Sequence, residues 1–200
     1  PGFAHMIMNV AQAHFANTPL LVLASNRNLD AEDTQQFIQF MHQQPVTQSI
    51  RKYGKRIIQP NRIYEYGAAA FREMRTGVPG LAHLDFPSDV TSAVFKDRSE
   101  VQRMYGKEHY RSESRPAPAA TDMRKAIDLV NRAERPVIVA GHGVFWRKAW
   151  DVLLRTAEKC DICVVGSGPM RGHFPDEHRL DGGTATDALM SADLVVFVGQ

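Results

Sequence analysis

The residues best suited to chemistry lie in two glycine-rich loops of the C-terminal half. Gly141, His142 and Gly143 follow the apolar run 137–140 and precede a helical pattern. Glycines at such a strand-to-helix turn let backbone N–H groups approach a phosphate at a helix N-terminus. The third glycine of the G-x-G-x-x-G pattern would fall on Trp146, so a nucleotide site and an ordinary tight turn both stay open.

A second glycine-rich loop, residues 166–172, follows the next predicted strand. It contains Met170, Arg171 and Gly172, and the arginine is suited to binding a phosphate group. Because ligands of open α/β sheets bind beyond the carboxyl ends of the strands, the two loops predict one nucleotide site at that edge. The alternative is a solvated loop whose arginine pairs with a neighbouring carboxylate.

Two histidines stand beside glycine turns at predicted strand–helix junctions. His5 follows the turn formed by Pro1 and Gly2, and His142 lies between two glycines. Each is either a functional side chain or a histidine whose ring is satisfied within the fold.

Several function classes are excluded or not indicated. No G-x-S-x-G, P-loop or H-E-x-x-H pattern occurs. Cys160 and Cys163 form a C-x-x-C pair, but they enter a strand and lack a second ligand pair, so neither redox chemistry nor zinc binding is predicted. A net charge of +2 without basic runs argues against nucleic acid as a partner. The longest apolar run, 20–24, is too short to cross a membrane and no export signal is recognisable, so a cytoplasmic protein is expected.

The elements around these residues alternate between helix and strand. In the N-terminal half the expected elements are helices over 3–16, 31–42 and 63–74 and strands over 20–24 and 81–86, with 46–58 unassigned. In the C-terminal half they are a helix with Thr121 as N-cap, helices over 146–158 and 184–190, and strands over 137–140, 162–166 and 194–198. Apolar strands that alternate with helices predict parallel sheets covered on both faces.

The fold class expected from this pattern is α/β, with two incomplete parallel-sheet three-layer domains. Residues 88–120 are polar and charged, with proline and alanine near their end, which is typical of an interdomain linker. We therefore expect domains over 1–95 and 121–200, joined by a linker over 96–120. The chain opens on proline and ends at Gln200, just after the strand-like run 194–199, so we expect a fragment cut at both ends.

Four blocks of sequence follow one another along almost the whole chain. They are PGFAH to TPLLVLAS from residue 1, GVPGLAHLDFPSDV from residue 77, AERPVIVAGHGV from residue 133 and FPDEH from residue 174. In this order they resemble four blocks of thiamine diphosphate (ThDP)-dependent enzymes of the acetolactate synthase-like group. The first two are similar to the GPG-A-T-N to P-L-L-V-I-T-G and GRPGPVHLDIPKDV motifs. The resemblance implies part of a ThDP pyrimidine-binding domain over 1–95 and part of a Rossmann-like central domain over 121–200.

The resemblance also implies which residues face ThDP. Pro1 and Gly2 match the turn beside the aminopyrimidine and thiazolium rings, and His5 stands where the family has asparagine. Asn26 stands where acetolactate synthases have glutamine, which places it on the ThDP side. A cofactor-activating glutamate is expected before Pro1, and the diphosphate and Mg²⁺ on a third domain with a G-D-G…N motif. The chain alone is therefore expected neither to catalyse nor to supply a metal ligand.

In the central domain the resemblance implies a ligand near the two glycine-rich loops. Acetolactate synthases bind FAD there, whereas the oxalyl-CoA decarboxylase and acyl-CoA lyase branches bind ADP or CoA. The residues expected to contact FAD or another nucleotide are Gly141, His142, Gly143, Met170, Arg171 and Gly172.

The expected function is that of a ThDP-dependent transferase or lyase in the full-length protein. It would decarboxylate a small 2-keto acid and transfer the resulting carbanion to a second carbonyl, within a homodimer or homotetramer. His5 is more similar to the 2-hydroxyacyl-CoA lyase branch, so an acyl-CoA lyase or an oxalyl-CoA decarboxylase-like enzyme is an alternative. Two non-catalytic alternatives are a nucleotide-binding module in 121–200 and a regulatory homologue that dimerises through the helix over 1–16.

Overall fold

Two compact units, 1–114 and 115–200, make up the chain in the computed structural model. The structure describes residues 2–36, 38, 40–112, 114, 116–183 and 186–200, and only the backbone of Thr186. Each unit contains a three-stranded parallel sheet, so the expected α/β class with two small parallel sheets is confirmed. Among the described residues there is no helix with the length and apolar character that a membrane span requires.

The first unit is built on a sheet of order β1-β3-β2. Its strands are β1 (Leu20–Asn26), β2 (Arg51–Arg56) and β3 (Leu81–Pro87). Its α-helices are α1 (Gly2–Phe15), α2 (Leu29–Asp33), α3 (Gln43–Val46), α4 (Ile63–Arg75) and α5 (Ser88–Thr91). Short 3₁₀ turns cover Pro60–Arg62, Arg98–Glu100 and Lys107–His109.

The central strand β3 is covered on both faces. Because side chains alternate along a strand, Leu81 lies on the face that packs against Phe3 and Val10 of α1. Leu84 lies on the opposite face, in a core cluster with Met74 of α4. Six of the seven β3 residues are buried, which is typical of a parallel strand between two helical layers.

The second unit repeats this plan with a sheet of order β5-β4-β6. Its strands are β4 (Pro136–Ala140), β5 (Cys163–Gly166) and β6 (Leu194–Val198). Its helices are α6 (Ala120–Arg132), α7 (His142–Trp146), α8 (Trp150–Cys160) and α9 (Thr186–Ser191), with a 3₁₀ turn over Gly168–Met170. The buried face of α8, formed by Leu153 and Ala157, packs in one core cluster with Ile138 of β4.

Two of the expected helices differ from the structure. The helix expected over 31–42 is wrong, since the described backbone there is helical only to Asp33 and Phe37 lies outside the described residues. Ile38, an apolar residue within that range, is exposed to solvent. The helix expected over 146–158 is two helices, because Lys148 between them has a positive φ of 51°.

The structure also contains a strand that no sequence pattern indicated. β2 has the sequence RKYGKR, which lacks both an apolar run and an alternation of apolar and polar residues. It forms an edge of the sheet, where one side of a strand is free of a neighbour and charged side chains reach water.

Burial on β3 yields a stability prediction for two leucines that are register partners on adjacent strands, Leu84 and Leu23. Leu84 is 3% exposed, whereas Leu23 is 59% exposed. We expect Leu84→Ala to lower the free energy of unfolding by about 2–5 kcal/mol and Leu23→Ala by less than about 1 kcal/mol. Urea unfolding followed by circular dichroism measures both, and equal losses would contradict the assignment of the core.

Candidate functional site

Polar side chains gather at the carboxyl end of the first sheet. Asn26 ends β1, Arg56 ends β2, and Asp85 is the register partner of Arg56 on β3. The Asn26 amide donates to Glu32 Oε2 at 3.3 Å and to Asp85 Oδ2 at 3.4 Å. The terminal nitrogens of Arg56 donate to both carboxylate oxygens of Glu32. One network therefore joins the ends of all three strands to α2.

The carboxylates of this network are buried. Glu32 is 8% exposed and Asp85 is 2% exposed. Burial raises the pKa of Asp85, although the hydrogen bond from Asn26 and the charge of Arg56 act in the opposite direction. Asp85 Oδ1 and Arg56 Nε have no hydrogen-bond partner within the described part of the chain. The network therefore retains one acceptor and one donor that could bind a ligand.

A small cleft of about 280 Å³ opens beside this network. Arg56 and Glu32 line it together with His42, whose Nδ1 lies 3.7 Å from Glu32 Oε1. The remaining lining residues are Leu29, Asp33 and Gln35. The cleft combines a guanidinium and a histidine with two carboxylates, so it is suited to a ligand with both donors and acceptors.

A buried histidine lies behind the network, in the middle of β3. His83 is fully buried, its Nδ1 lies 2.8 Å from Thr47 Oγ1, and its ring stacks on Phe3 with centroids 5.0 Å apart. Burial, and secondarily the positive charge of Arg51, lower the pKa of His83 to about 4. His83 is therefore neutral at pH 7, and Nε2 has no partner among the described residues.

Of the residues expected on the ThDP side, Asn26 belongs to this network, whereas Gly2 and His5 lie on the first turns of α1. Gly2 begins α1, and a Cβ placed there would meet no atom within 4 Å. His5 is exposed on the first turns of the same helix. Because Phe3 stacks on His83, the start of α1 lies over β3 two residues before Asp85, which binds Asn26. Pro1 lies outside the described residues.

In the second unit, backbone contacts with the end of β6 account for the glycines of the first loop. The N–H of Gly141 donates to Val198 O at 2.9 Å, and the N–H of Gly143 donates to Gly199 O at 2.7 Å. A Cβ on Gly143 would lie 2.7 Å from the Cα of Gly199, which itself has a φ of 68°. These glycines are thus required by packing, whether or not a ligand binds.

The second loop places its predicted residues in different environments. Met170 is 1% exposed and packs in the core, so its side chain is unavailable to a ligand at the loop surface. Arg171 and Gly172 are exposed, and Arg171 forms no ion pair with the described residues. A Cβ on Gly168 would lie 2.7 Å from His142 Cε1, so the two glycine-rich loops meet where the imidazole covers this glycine.

An aromatic cluster beside these loops was missed by the sequence reasoning. The His173 ring stacks on Trp150 with centroids 5.1 Å apart and lies 5.3 Å from Phe145. Trp146 Nε1 is buried without a partner among the described residues. The aromatic residues of 145–150 were visible in the sequence, but nothing local indicated that His173 joins them.

The two cysteines of the C-x-x-C pair lie in different environments. Cys160 is exposed, Cys163 is half-buried, and both are free thiols. Burial, together with the charge of Asp181, raises the pKa of Cys163 and so favours the protonated, less reactive form. Across the described residues, no group of three or more histidine, cysteine or acidic side chains is arranged to hold a metal ion.

Comparison with known proteins relates both units to one group of enzymes. Residues 123–200 match the family model described as thiamine pyrophosphate enzyme, central domain. The whole chain is similar to the probable acetolactate synthase large subunit of Methanocaldococcus jannaschii, with 29% identity over 212 residues. These findings support the ThDP-dependent enzyme superfamily for the whole chain, with residues 123–200 matching its central domain. Within that superfamily it is similar to the acetolactate synthase-like group.

A second relative and a solved structure are also similar to this chain. Oxalyl-CoA decarboxylase of Escherichia coli K12 is 27% identical over 201 residues. Each of these two similarities covers 100% of this chain and 35% of the length of the relative. An X-ray structure from Mycobacterium smegmatis, described as a thiamin diphosphate-dependent enzyme, superposes with a TM-score of 0.76 at 23% identity. The superposition covers 99% of this chain and 38% of the M. smegmatis protein. The two proteins therefore share this fold.

Because Gly143 lies so close to Gly199, adding a methyl group at position 143 should destabilise the protein. We expect Gly143→Ala to lower the free energy of unfolding by about 1–3 kcal/mol, because backbone must move to admit the Cβ. As a control, Gly67→Ala in α4 meets open space and should stabilise the protein by about 0.5–1 kcal/mol. Thermal unfolding monitored by circular dichroism measures both, and an unchanged Gly143→Ala variant would show that the two backbones are not in contact.

The buried His83 predicts an acid-dependent loss of stability. Its folded pKa, about 4, lies below the ordinary value of 6.5, so the unfolded state binds more protons between these pH values. Stability due to His83 is therefore complete above pH 6.5 and is lost as the pH falls towards 4, by up to about 1.4 kcal/mol per pH unit. The raised pKa of Asp85 acts in the opposite sense, because protonation of Asp85 favours the folded state.

Comparing variants isolates the contribution of His83 to this pH dependence. We expect His83→Gln to flatten the decline in unfolding free energy between pH 6.5 and 4.5, measured by urea unfolding. His5→Gln, an exposed matched substitution, should keep the wild-type slope. If His83→Gln kept that slope as well, His83 would not be buried in its neutral form.

Proposed function

We propose that the protein containing this chain is a ThDP-dependent enzyme that breaks the carbon–carbon bond beside the carbonyl of a small 2-keto acid. It would transfer the remaining fragment to a second carbonyl compound. The observation that carries this proposal is the polar network of Asn26, Glu32, Arg56 and Asp85 at the sheet edge beside the start of α1. The acetolactate synthase relative supports the choice of a 2-keto acid.

The residues at this edge fit the pyrimidine side of ThDP. The open space at Gly2 would let a flat ring approach the backbone of α1. Asp85 Oδ1 and Arg56 Nε supply an acceptor and a donor that the fold leaves unused. When bound, ThDP supplies an electron sink for the electron pair left when CO₂ departs.

Each polar side chain at the edge has a proposed task. Asp85 would hold a proton, since burial raises the pKa of this carboxyl group. Asn26 would orient the Asp85 carboxyl through its amide, and the Arg56–Glu32 pair would fix the cleft wall. We assign the Mg²⁺ and diphosphate of ThDP to no residue of this chain.

An acyl-CoA thioester is the second candidate substrate. It is favoured by the E. coli oxalyl-CoA decarboxylase, which matches the full chain nearly as well as the acetolactate synthase relative. The exposed His5 at the start of α1, which resembles the acyl-CoA branch, is consistent with this candidate. Both candidates share the loss of CO₂ and differ in what remains, a fragment at the oxidation level of an aldehyde or a thioester.

We further propose FAD or ADP at the loops of the second unit, and a homodimer or homotetramer as the assembly. The support for a nucleotide is the exposed Arg171, which forms no ion pair with the described residues, and not the glycines, which packing explains. Arg171→Gln should weaken ADP binding about tenfold by calorimetry, because one charge-assisted hydrogen bond is lost. Unchanged binding would remove Arg171 from the proposal.

Substrate and cofactor are tested together on the intact protein after removal of bound ThDP. We expect CO₂ release from pyruvate only when both ThDP and Mg²⁺ are restored. With pyruvate as donor and acceptor, two pyruvate anions and one proton would give one acetolactate anion and one CO₂. Release from oxalyl-CoA but not pyruvate would favour the second candidate, and no release from either would contradict the proposed function.

A variant pair tests the polar network within the same assay. Asn26→Ala should lower kcat/KM by about tenfold or more, because the hydrogen bonds to Glu32 and Asp85 are lost. Asn28→Ala is the matched control, since Asn28 makes no side-chain capping bond although it precedes α2. Equal activity of the two variants would exclude Asn26 from the site.

A further inference from the structure

A cavity of about 500 Å³ lies in the first unit, between α4 and residues 102–110. Its size falls within the range of small-molecule sites. It does not include any residue of the polar network at the sheet edge. Aromatic and apolar side chains dominate its lining, among them Tyr64, Phe71, Met104, Tyr105 and Tyr110.

The α4 wall of the cavity is formed by one stripe of the helix. Tyr64, Gly67 and Phe71 recur at steps of three and four, so they share a face. Ala70 and Met74 lie on the buried face of the helix instead. Tyr64 is 39% exposed and Phe71 is 44% exposed, and between them Gly67 leaves open space where other residues have a side chain. This face of α4 thus presents the half-exposed rings of Tyr64 and Phe71 on either side of Gly67, which forms the floor of the cavity.

The opposite wall of the cavity contains the ring of Tyr105, with the side chains of Arg103 and His109 close to it. The Arg103 guanidinium lies 5.8 Å from the centroid of the Tyr105 ring, and the His109 ring lies 5.7 Å from it. The N–H of Gln102 donates to Asn61 O at 2.8 Å, which attaches this segment to the start of α4. The wall is therefore tied to the helix and is not a free loop.

The lining carries more positive than negative charge. Its carboxylate, Glu65, is already paired with Arg62 through a bond of 2.8 Å from Nε. Arg72 uses Nε to bind Glu73 at 3.0 Å, while its terminal nitrogens bind no described residue. Arg103 forms neither an ion pair nor a hydrogen bond within the described part of the chain. The available guanidinium groups at the rim are complementary to an anion.

We propose that this cavity binds a planar aromatic molecule that carries an anionic group. The ring would lie over Gly67 between the rings of Tyr64, Phe71 and Tyr105, and the anionic group would bind Arg103. The floor without a side chain, the aromatic walls and the unpaired guanidinium select for flat shape and negative charge together. The inference goes beyond the proposed function, because none of these residues belongs to the sheet-edge network.

A pair of fluorescent probes tests both requirements. 8-Anilinonaphthalene-1-sulfonate is an aromatic anion, and N-phenyl-1-naphthylamine has a closely similar ring system without the charge. We expect the sulfonate to bind the intact protein more tightly than the neutral probe. Arg103→Gln should weaken the sulfonate about tenfold and leave the neutral probe unchanged. Arg98→Gln, a nearby arginine outside the cavity, should change neither.

Filling the floor tests the location. Gly67→Leu should abolish binding of both probes, whereas Ala126→Leu on the exposed face of α6 should preserve it. Leucine is a stronger helix former than glycine, so α4 should persist, and circular dichroism verifies this. If Gly67→Leu fails to fold, Arg103→Gln decides alone, because it alters one exposed side chain.

Two results would overturn the proposal. One is sulfonate binding that survives both Gly67→Leu and Arg103→Gln. The other is displacement of the sulfonate by ThDP with Mg²⁺, which would assign the probe to the cofactor site. If ThDP does not bind while the probe results hold, the proposed function fails and the aromatic-anion site stands.

Discussion

The burial of two polar side chains inside β3 constrains the rest of the first unit. A buried polar group without a partner is costly, so neighbouring elements must bring hydrogen-bonding groups to His83 and Asp85. Thr47 meets the imidazole and Asn26 meets the carboxylate. These contacts attach the end of α3 and the end of β1 to the central strand. The polar edge is therefore both a requirement of the fold and the place where chemistry can occur.

The sequence allowed much of the fold to be predicted, because apolar runs are typical of strands in a parallel sheet. β1, β3, β4 and β6 follow such runs, whereas the charged edge strand β2 has none. The four family blocks also led to the superfamily, since their order is a property of the whole chain. Local pattern failed between β1 and β2, where apolar residues expected in one helix are partly exposed.

The polar network itself could not be predicted, because most of its hydrogen bonds join residues that are far apart in sequence. Arg56 and Glu32 are 24 positions apart, and Asn26 and Asp85 are 59 apart. The one available signal was an aspartate within the apolar run LAHLDF of β3. Conversely, the glycine-rich loop at 141–143 could be recognised in the sequence. Its glycines are explained by their close contact with Gly199, however, and phosphate binding is not needed to explain them.

The contact between that loop and the end of β6 has a consequence for motion. The amides of Gly141 and Gly143 both donate to carbonyls of 198–199, so neither can open while those residues stay in place. Their hydrogens should exchange with solvent together, as one event in which the end of β6 detaches from β4. The glycine-rich loop at 141–143 is therefore expected to be held in place by the end of the edge strand β6 and not to move freely around a ligand.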